Sequence, residues 1–168
     1  MNSFISILIV LFLISAVFLT VLSCASNRPK VQLIDGRLRP CPNSPNCVSS
    51  ESDSTSSRIE PLSFQGRPEK AWGDLKETIR DMGGKIQEEH DGYLWATFTT
   101  RLFRFVDDVE FRMVSSDGMI HLRSGSRVGY SDLGVNRRRM KKLRTLFNQK
   151  KEKKDGQQTN SADARQRR

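Results

Sequence analysis

The chain opens on its longest apolar run. Phe4 to Ala25 reads FISILIVLFLISAVFLTVLSCA without one charged residue. As a helix it would span roughly 30 Å, the thickness of a bilayer's hydrocarbon core, and it reads as a membrane-targeting segment. From Pro68 onward the pattern becomes amphipathic. Trp72, Leu75, Ile79 and Met82 recur at steps of three and four, which predicts a helix opened by Pro68 and stopped by Gly83-Gly84. The period then falls to two. Lys85 to Glu89 and the aromatic, Thr-rich Tyr93 to Thr100 flank an Asp91-Gly92 hairpin signal. Phe103, Phe105, Val109, Phe111 and Met113 alternate onto one face of the next strand, and Arg104, Asp108, Glu110 and Arg112 onto the other. Met119 to Ser124 returns with Ile120 and Leu122 inward. Upstream, Ile59 to Phe64 is a short strand interrupted by Pro61, hence an edge or entry segment. Asn136 to Lys150 carries a last helical stripe of Met140, Leu143 and Phe147.

The order β-α-β-β-β-β-α predicts an α+β fold: a small antiparallel sheet of about four or five strands with two helices packed on one face. The expected organisation is a signal or membrane segment over 1–23, a tether with a cysteine loop and a flexible Ser-rich linker over 24–57, the α+β domain over 58–148, and a disordered basic tail over 149–168. Register can also be read. A two-residue Asp117-Gly118 turn sets Arg112 against Arg123. A four-residue loop, Ser115 to Gly118, sets Glu110 against Arg123 and Phe111 against Leu122. Cross-strand pairs count for roughly 0.2–1 kcal/mol each, so the second register is expected.

Charge changes this picture only at the end of the chain. The formal charge is +9, yet thirteen of the 28 Lys and Arg, and three of the 19 Asp and Glu, lie from Asn136 onward. The rest holds 15 basic against 16 acidic side chains, which argues against a broad cationic face. RNA binding calls for exposed aromatic side chains, and none follows Phe147. Nucleic acid is therefore disfavoured, and an anionic lipid surface or acidic envelope polymer is the better partner for the tail.

Val21-Leu22-Ser23-Cys24 resembles a bacterial lipobox, which would make Cys24 the acylated first residue of the mature chain. A cleaved secretory signal and a permanent anchor remain as alternatives. The n-region MNSF has no Lys or Arg, whereas Arg28, Lys30, Arg37 and Arg39 follow the apolar run. The positive-inside rule alone would put the domain in the cytoplasm. Cysteine parity points the other way, to a domain anchored in the envelope outside the cytoplasm. With Cys24 lipidated, Cys41 and Cys47 remain an even pair. Five residues with two prolines lie between them, enough to bring the Cα atoms within disulfide range. A structural staple worth roughly 2 kcal/mol is expected. Zinc lacks a second close-spaced ligand pair, because His90 and His121 each stand alone. A redox pair would have two residues between its cysteines and a helix start beside them. No metal and no cofactor are expected.

The cysteine loop CPNSPNCVSS, then IEPLSF, FRFVDDVEFR and IHLRSGSRVGYSDLGVNRRRMKKLR follow in that order. Together these segments, from about Leu38 to about Phe147, resemble the domain-of-unknown-function family 1499 (DUF1499). The resemblance implies an envelope- or membrane-associated protein, with some members similar to lipoproteins. It implies no particular chemistry.

Two places could carry chemistry. Asp107 falls in the inward phase of its strand, opposite Ser126 in the four-residue-loop register. A buried carboxylate needs a partner, so it is read either as a polar lock, with Arg127 as partner, or as an acid or base in a pocket. Asp108 and Glu110 are read as solvated or paired with Arg123 and His121. The second place is RSGSRVGYSDLGVNRRR, Arg123 to Arg139, where Arg123, Ser124, Ser126, Arg127, Asn136 and Arg137 surround a helix start suited to a phosphate or carboxylate. Its plainer reading is a structured loop with Asp132 or Asn136 capping the helix. The expected function is a membrane-tethered, non-catalytic binding or scaffold module for an anionic ligand or surface. The rival is a hydrolase or transferase on an anionic substrate with Asp107 and Arg127 in its site.

Overall fold

The computed structural model describes residues 5–15, 32–100 and 104–166, and side-chain surroundings as far as 152. Most of the leader, the lipobox with Cys24, and Phe103 lie outside these residues. Residues 5–15 form a helix with every side chain exposed. Among the described residues, no helix is long and apolar enough to cross a membrane.

The elements run β1 (Cys47–Ser49), β2 (Leu62–Ser63), α1 (Pro68–Asp81), β3 (Lys85–His90), β4 (Tyr93–Thr99), β5 (Val106–Val114), a single 3-10 turn (Ser115–Asp117), β6 (Met119–Ser126) and α2 (Val135–Gln166). All six strands join one sheet in the order β1-β6-β5-β4-β3, with β2 also on β6, and every pairing is antiparallel. The fold is α+β. Glu110 pairs with Arg123 and Phe111 with Leu122, the register of the four-residue loop. Asp91 (φ 42°) and Gly92 (φ 75°) both take left-handed backbone, the two-residue turn whose twist matches a hairpin.

Helix α1 starts with Pro at its first position and buries Leu75 and Ile79, with Trp72 and Met82 at the rim. Helix α2 buries Met140, Leu143 and Phe147. Both pack on the sheet face formed by Leu94, Ala96, Phe98, Val109, Phe111, Ile120 and Leu122, each large side chain contributing about 1.5–3 kcal/mol by leaving water. Lys150 on α2 reaches Glu77 (2.9 Å) and Asp81 (2.8 Å) on α1, tying the two helices together.

Three expectations are corrected, and one feature is new. Strand β5 begins at Val106, later than its apolar alternation suggests. Arg104 takes left-handed backbone (φ 51°), and Phe105 N donates to Thr100 Oγ1 at 2.9 Å, closing a turn before the strand. The Ser-rich stretch is bound to the sheet. Cys47–Ser49 is strand β1, Ser50 N donates to Leu122 O at 2.9 Å, and Ser49 N to Ser57 O at 2.9 Å. Hydrogen bonds anchor it where apolar residues are missing. Helix α2 continues to Gln166 through the region expected to be disordered. Lys, Glu, Gln and Arg are good helix formers, and a helix already nucleated by buried residues propagates at little cost. Lastly, the sheet face turned away from the helices is covered by Leu33 and Leu38, which pack on Tyr93 and Trp95.

Candidate functional site

Alternation along β5 and β6 sorts the candidate residues onto two faces. Asp107 stands opposite Ser126, and Val109 opposite Ser124, all toward α2. Asn136, in the first turn of α2, is 1 % exposed. Its Nδ2 donates to Asn46 O (2.9 Å) and Ser126 Oγ (3.0 Å). Its Oδ1 accepts from Ser124 Oγ (2.6 Å) and Arg139 Nη1 (2.5 Å). The amide's two donors and two acceptor positions are all used. Arg139 also donates to Asp107 Oδ2 at 2.5 Å and lies over the Phe98 ring, 5.0 Å from its centroid. Asp107 is thus buried against Arg139. The expected Arg127 partner is incorrect, because the residue after Ser126 points to the other face.

On that other face Arg127 grips Asp108 through Nε (2.9 Å) and Nη2 (2.8 Å), and Trp95 Nε1 donates to the same carboxylate at 2.9 Å. Glu110, fully buried, accepts from Tyr93 Oη (3.0 Å), Arg39 Nη2 (2.8 Å) and Arg123 Nη1 (2.9 Å). Burial, and then the Glu110 charge, push the Tyr93 phenol far above its ordinary range. Gly125 makes room for this arrangement. A Cβ there would sit 3.3 Å from Cys47 Sγ and 3.4 Å from both terminal nitrogens of Arg123. Arg123 Nε is the one fully buried side-chain nitrogen or oxygen without a hydrogen bond among the described residues. Asp108 and Glu110 are therefore buried and bonded. Solvation of these carboxylates fails as a reading because residues 33–39 cover a face that a two-layer fold leaves open. Asp107 and Arg127 stand on opposite faces and do not share a site, so the hydrolase or transferase arrangement built on that pair fails.

Cys41 and Cys47 form a disulfide, with Cα atoms 5.6 Å apart. The loop they close carries Asn46, whose carbonyl accepts from Ser126 N (3.0 Å) as well as from Asn136, and whose Nδ2 donates to Gly129 O (2.5 Å). Between this loop, the serine stretch and the start of α2 lies a cleft of about 440 Å³. Its walls include Ser44, Ser52, Ser54, Ser56, Ser57, Tyr130 and Arg137. Arg137 is exposed and donates to Arg58 O (3.0 Å) and Ser56 O (2.5 Å). Asp132 accepts from Gly134 N (2.9 Å) and Asn136 N (2.6 Å), so the chain's own carboxylate caps α2 and takes donors that the sequence reading reserves for an external anion. Of the candidate residues, Ser124, Ser126 and Asn136 meet beside Asp107. Arg123 and Arg127 lie across the sheet, and Arg137 borders the cleft.

The family model described as "Protein of unknown function (DUF1499)" matches residues 37–147. The chain belongs to the DUF1499 family. The match takes in both polar clusters and the disulfide loop. No curated protein and no solved structure matches the chain.

The DUF1499 domain also gathers a serine, a histidine and a carboxylate that the sequence reading left apart. Ser50 Oγ lies 3.2 Å from His121 Nδ1, and Glu51 Oε1 lies 3.7 Å from the same nitrogen. A nucleophilic triad needs the serine and the carboxylate on opposite ring nitrogens. Here they share one. Glu51 is further held by Arg112 and by Leu38 N (2.6 Å), and Ser50 Oγ accepts from Leu122 N at 3.0 Å. The group ties the N-terminal segment to β6. The signal for it was the Arg112–His121 pairing, which places both on the second face. Burial lowers the His121 pKa below its ordinary value, against the opposing pull of Glu51. Among the described residues no group of three or more His, Cys, Asp or Glu is placed to hold a metal ion.

Proposed function

We propose that this DUF1499 chain is a membrane-tethered cell-envelope protein whose domain is a non-catalytic binding module for an acidic polymer, held in the cleft between the disulfide loop and α2. The carrying observation is the lining of that cleft. It combines five serine side chains, the exposed face of Tyr130 and the cationic Arg137. Hydroxyls exchange hydrogen bonds with sugar hydroxyls, an aromatic face stacks on apolar ring faces, and a guanidinium pairs with carboxylate or phosphate. A concave, hydroxyl-lined site fits a polymer chain better than a flat bilayer. The uncharged leader supports the tether, and a closed disulfide agrees with an oxidising compartment. The cations of α2 are suited to nearby anionic headgroups.

The test is titration of the full chain in detergent with an acidic oligosaccharide, oligogalacturonate, and with a neutral one of equal length, followed by calorimetry. The acidic oligomer should bind more tightly, with affinity falling as salt rises, and Arg137→Ala should weaken it about tenfold. Equal affinity for the neutral oligomer, or an unchanged constant in the variant, would overturn the reading. Arg127→Ala belongs outside this test, because its loss unpairs buried Asp108.

A further inference from the structure

A second cavity, of about 380 Å³, opens beside the polar lock and is lined by Thr100, Phe105, Asp107, Ser126, Val128 and Val135, among others. Its volume falls within the roughly 300–1,000 Å³ range of small-molecule sites. Its walls are mainly apolar; Ser131 and Asp132 also border it, with the Asp132 carboxylate engaged by Gly134 N and Asn136 N, and Asp107 and Ser126 stand together at one wall. Asp107 is 3 % exposed. Its Oδ2 is taken by Arg139; no described residue donates to Oδ1, which is therefore not fully buried and keeps some access to solvent. Ser126 Oγ accepts from Asn136 Nδ2, and no described residue accepts its hydroxyl proton. The two side chains are direct cross-strand partners, on the same face of the sheet and side by side. The cavity therefore offers one acceptor and one donor at neighbouring positions beside largely apolar walls.

We propose that this cavity binds a neutral, largely apolar molecule carrying one alcohol group, whose hydroxyl donates to Asp107 Oδ1 and accepts from Ser126 Oγ. Charge selects neutrality. The Asp107 carboxylate is already balanced by Arg139 at 2.5 Å, so a ligand cation would meet that guanidinium and a ligand anion would meet the carboxylate. Polarity selects the alcohol. An ether oxygen accepts but does not donate, leaving Asp107 Oδ1 desolvated and unpaired, which binding sites discriminate against strongly. The apolar body would rest on Phe105, Val128 and Val135. This site is distinct from the Arg137 cleft, so either can fail without the other.

The experiment is photo-crosslinking of the full chain in membranes with a diazirine-bearing medium-chain alkyl alcohol, with its methyl ether as control, followed by peptide mapping. The alcohol should label Thr100, Phe105 and the segment Val128–Val135 saturably, and unlabelled alcohol should compete. The methyl ether should label at least fivefold less. Ser126→Ala should reduce labelling several-fold, and Val128→Trp, which adds bulk at the cavity wall, should abolish it. Arg137→Ala should leave it unchanged. Labelling that does not saturate, ether labelling equal to that of the alcohol, or undiminished labelling in Val128→Trp would each overturn the proposal. Folding of every variant is checked by its urea midpoint, and a variant that fails to fold is replaced at the same wall by Val135→Phe.

Discussion

Arg39 Nη2 lies 2.8 Å from Glu110 Oε1, although 71 positions separate the two residues in the chain. The contact fastens the N-terminal segment over the second face of the sheet. Arg123 holds the same carboxylate at 2.9 Å, and Glu110 is fully buried. Removing the carboxylate leaves a buried guanidinium uncompensated. Glu110→Ala should therefore destabilise the domain by about 3–5 kcal/mol. Arg39→Ala, at a side chain 21 % exposed, should cost clearly less, because Arg123 and Tyr93 still satisfy Glu110. Urea unfolding of both variants measures the order, and equal losses would contradict it.

Asn136 joins the disulfide loop, β6 and α2 through four hydrogen bonds. Asn136→Ala should leave several buried polar groups unmatched at about 1–3 kcal/mol each, relieved where water enters. Asp107→Asn keeps the shape and loses the charge opposite Arg139. A loss of about 1–3 kcal/mol is expected, with the fold retained in both variants by circular dichroism. A neutral result for Asp107→Asn would show that the Arg139 contact contributes nothing to the fold.

What could be read from the sequence follows from how local each cause is. The β5–β6 register was legible because Glu110, Arg112 and Arg123 carry opposite or like charges at fixed spacing, and one of two loop lengths brings like charges together. Helix α1 was legible from Pro68, its apolar stripe and the glycine stop. The burial of Asp107 followed from strand alternation. Its partner did not, because Arg139 arrives from a helix whose rotation is set by Met140, Leu143 and Phe147. The cover on the second face was hidden for another reason. Residues 32–46 have no periodic pattern, and their attachment depends on Leu38, Arg39 and Glu51 meeting side chains far along the chain. The burial of Asp108 and Glu110 was consequently not legible, although the Glu110–Arg123 pair was. The serine stretch looked flexible because hydrogen bonds, not apolar burial, hold it.

Reduction of the Cys41–Cys47 bond should cost about 2 kcal/mol, chiefly by freeing the unfolded chain of a short loop. Its second effect is local. Asn46 lies inside the loop and contacts Ser126, Gly129 and Asn136. Cys41→Ser with Cys47→Ser should therefore increase hydrogen exchange at Ser126 and weaken oligosaccharide binding in the adjoining cleft. Denaturation with and without reductant gives the first quantity, and mass-spectrometric hydrogen exchange the second. A loss of stability with unchanged exchange at Ser126 would separate the staple from the site.

His121 gives the domain a pH dependence whose sign can be worked out. Burial lowers its folded-state pKa below the ordinary value of 6.5 that applies in the unfolded chain. Between those two values the unfolded chain binds more protons, so stability rises with pH across that window. The contribution is fully present above about 6.5 and is lost as pH falls toward the folded-state value. Glu51 opposes this by favouring the charged ring, while Arg112 and Arg37 reinforce it. His121→Asn keeps a polar partner for Ser50 and removes the titration. Its melting temperature should therefore fall less than that of the wild type between pH 7.5 and pH 5. Parallel slopes for wild type and His121→Asn would show that His121 is not the source of the acid sensitivity.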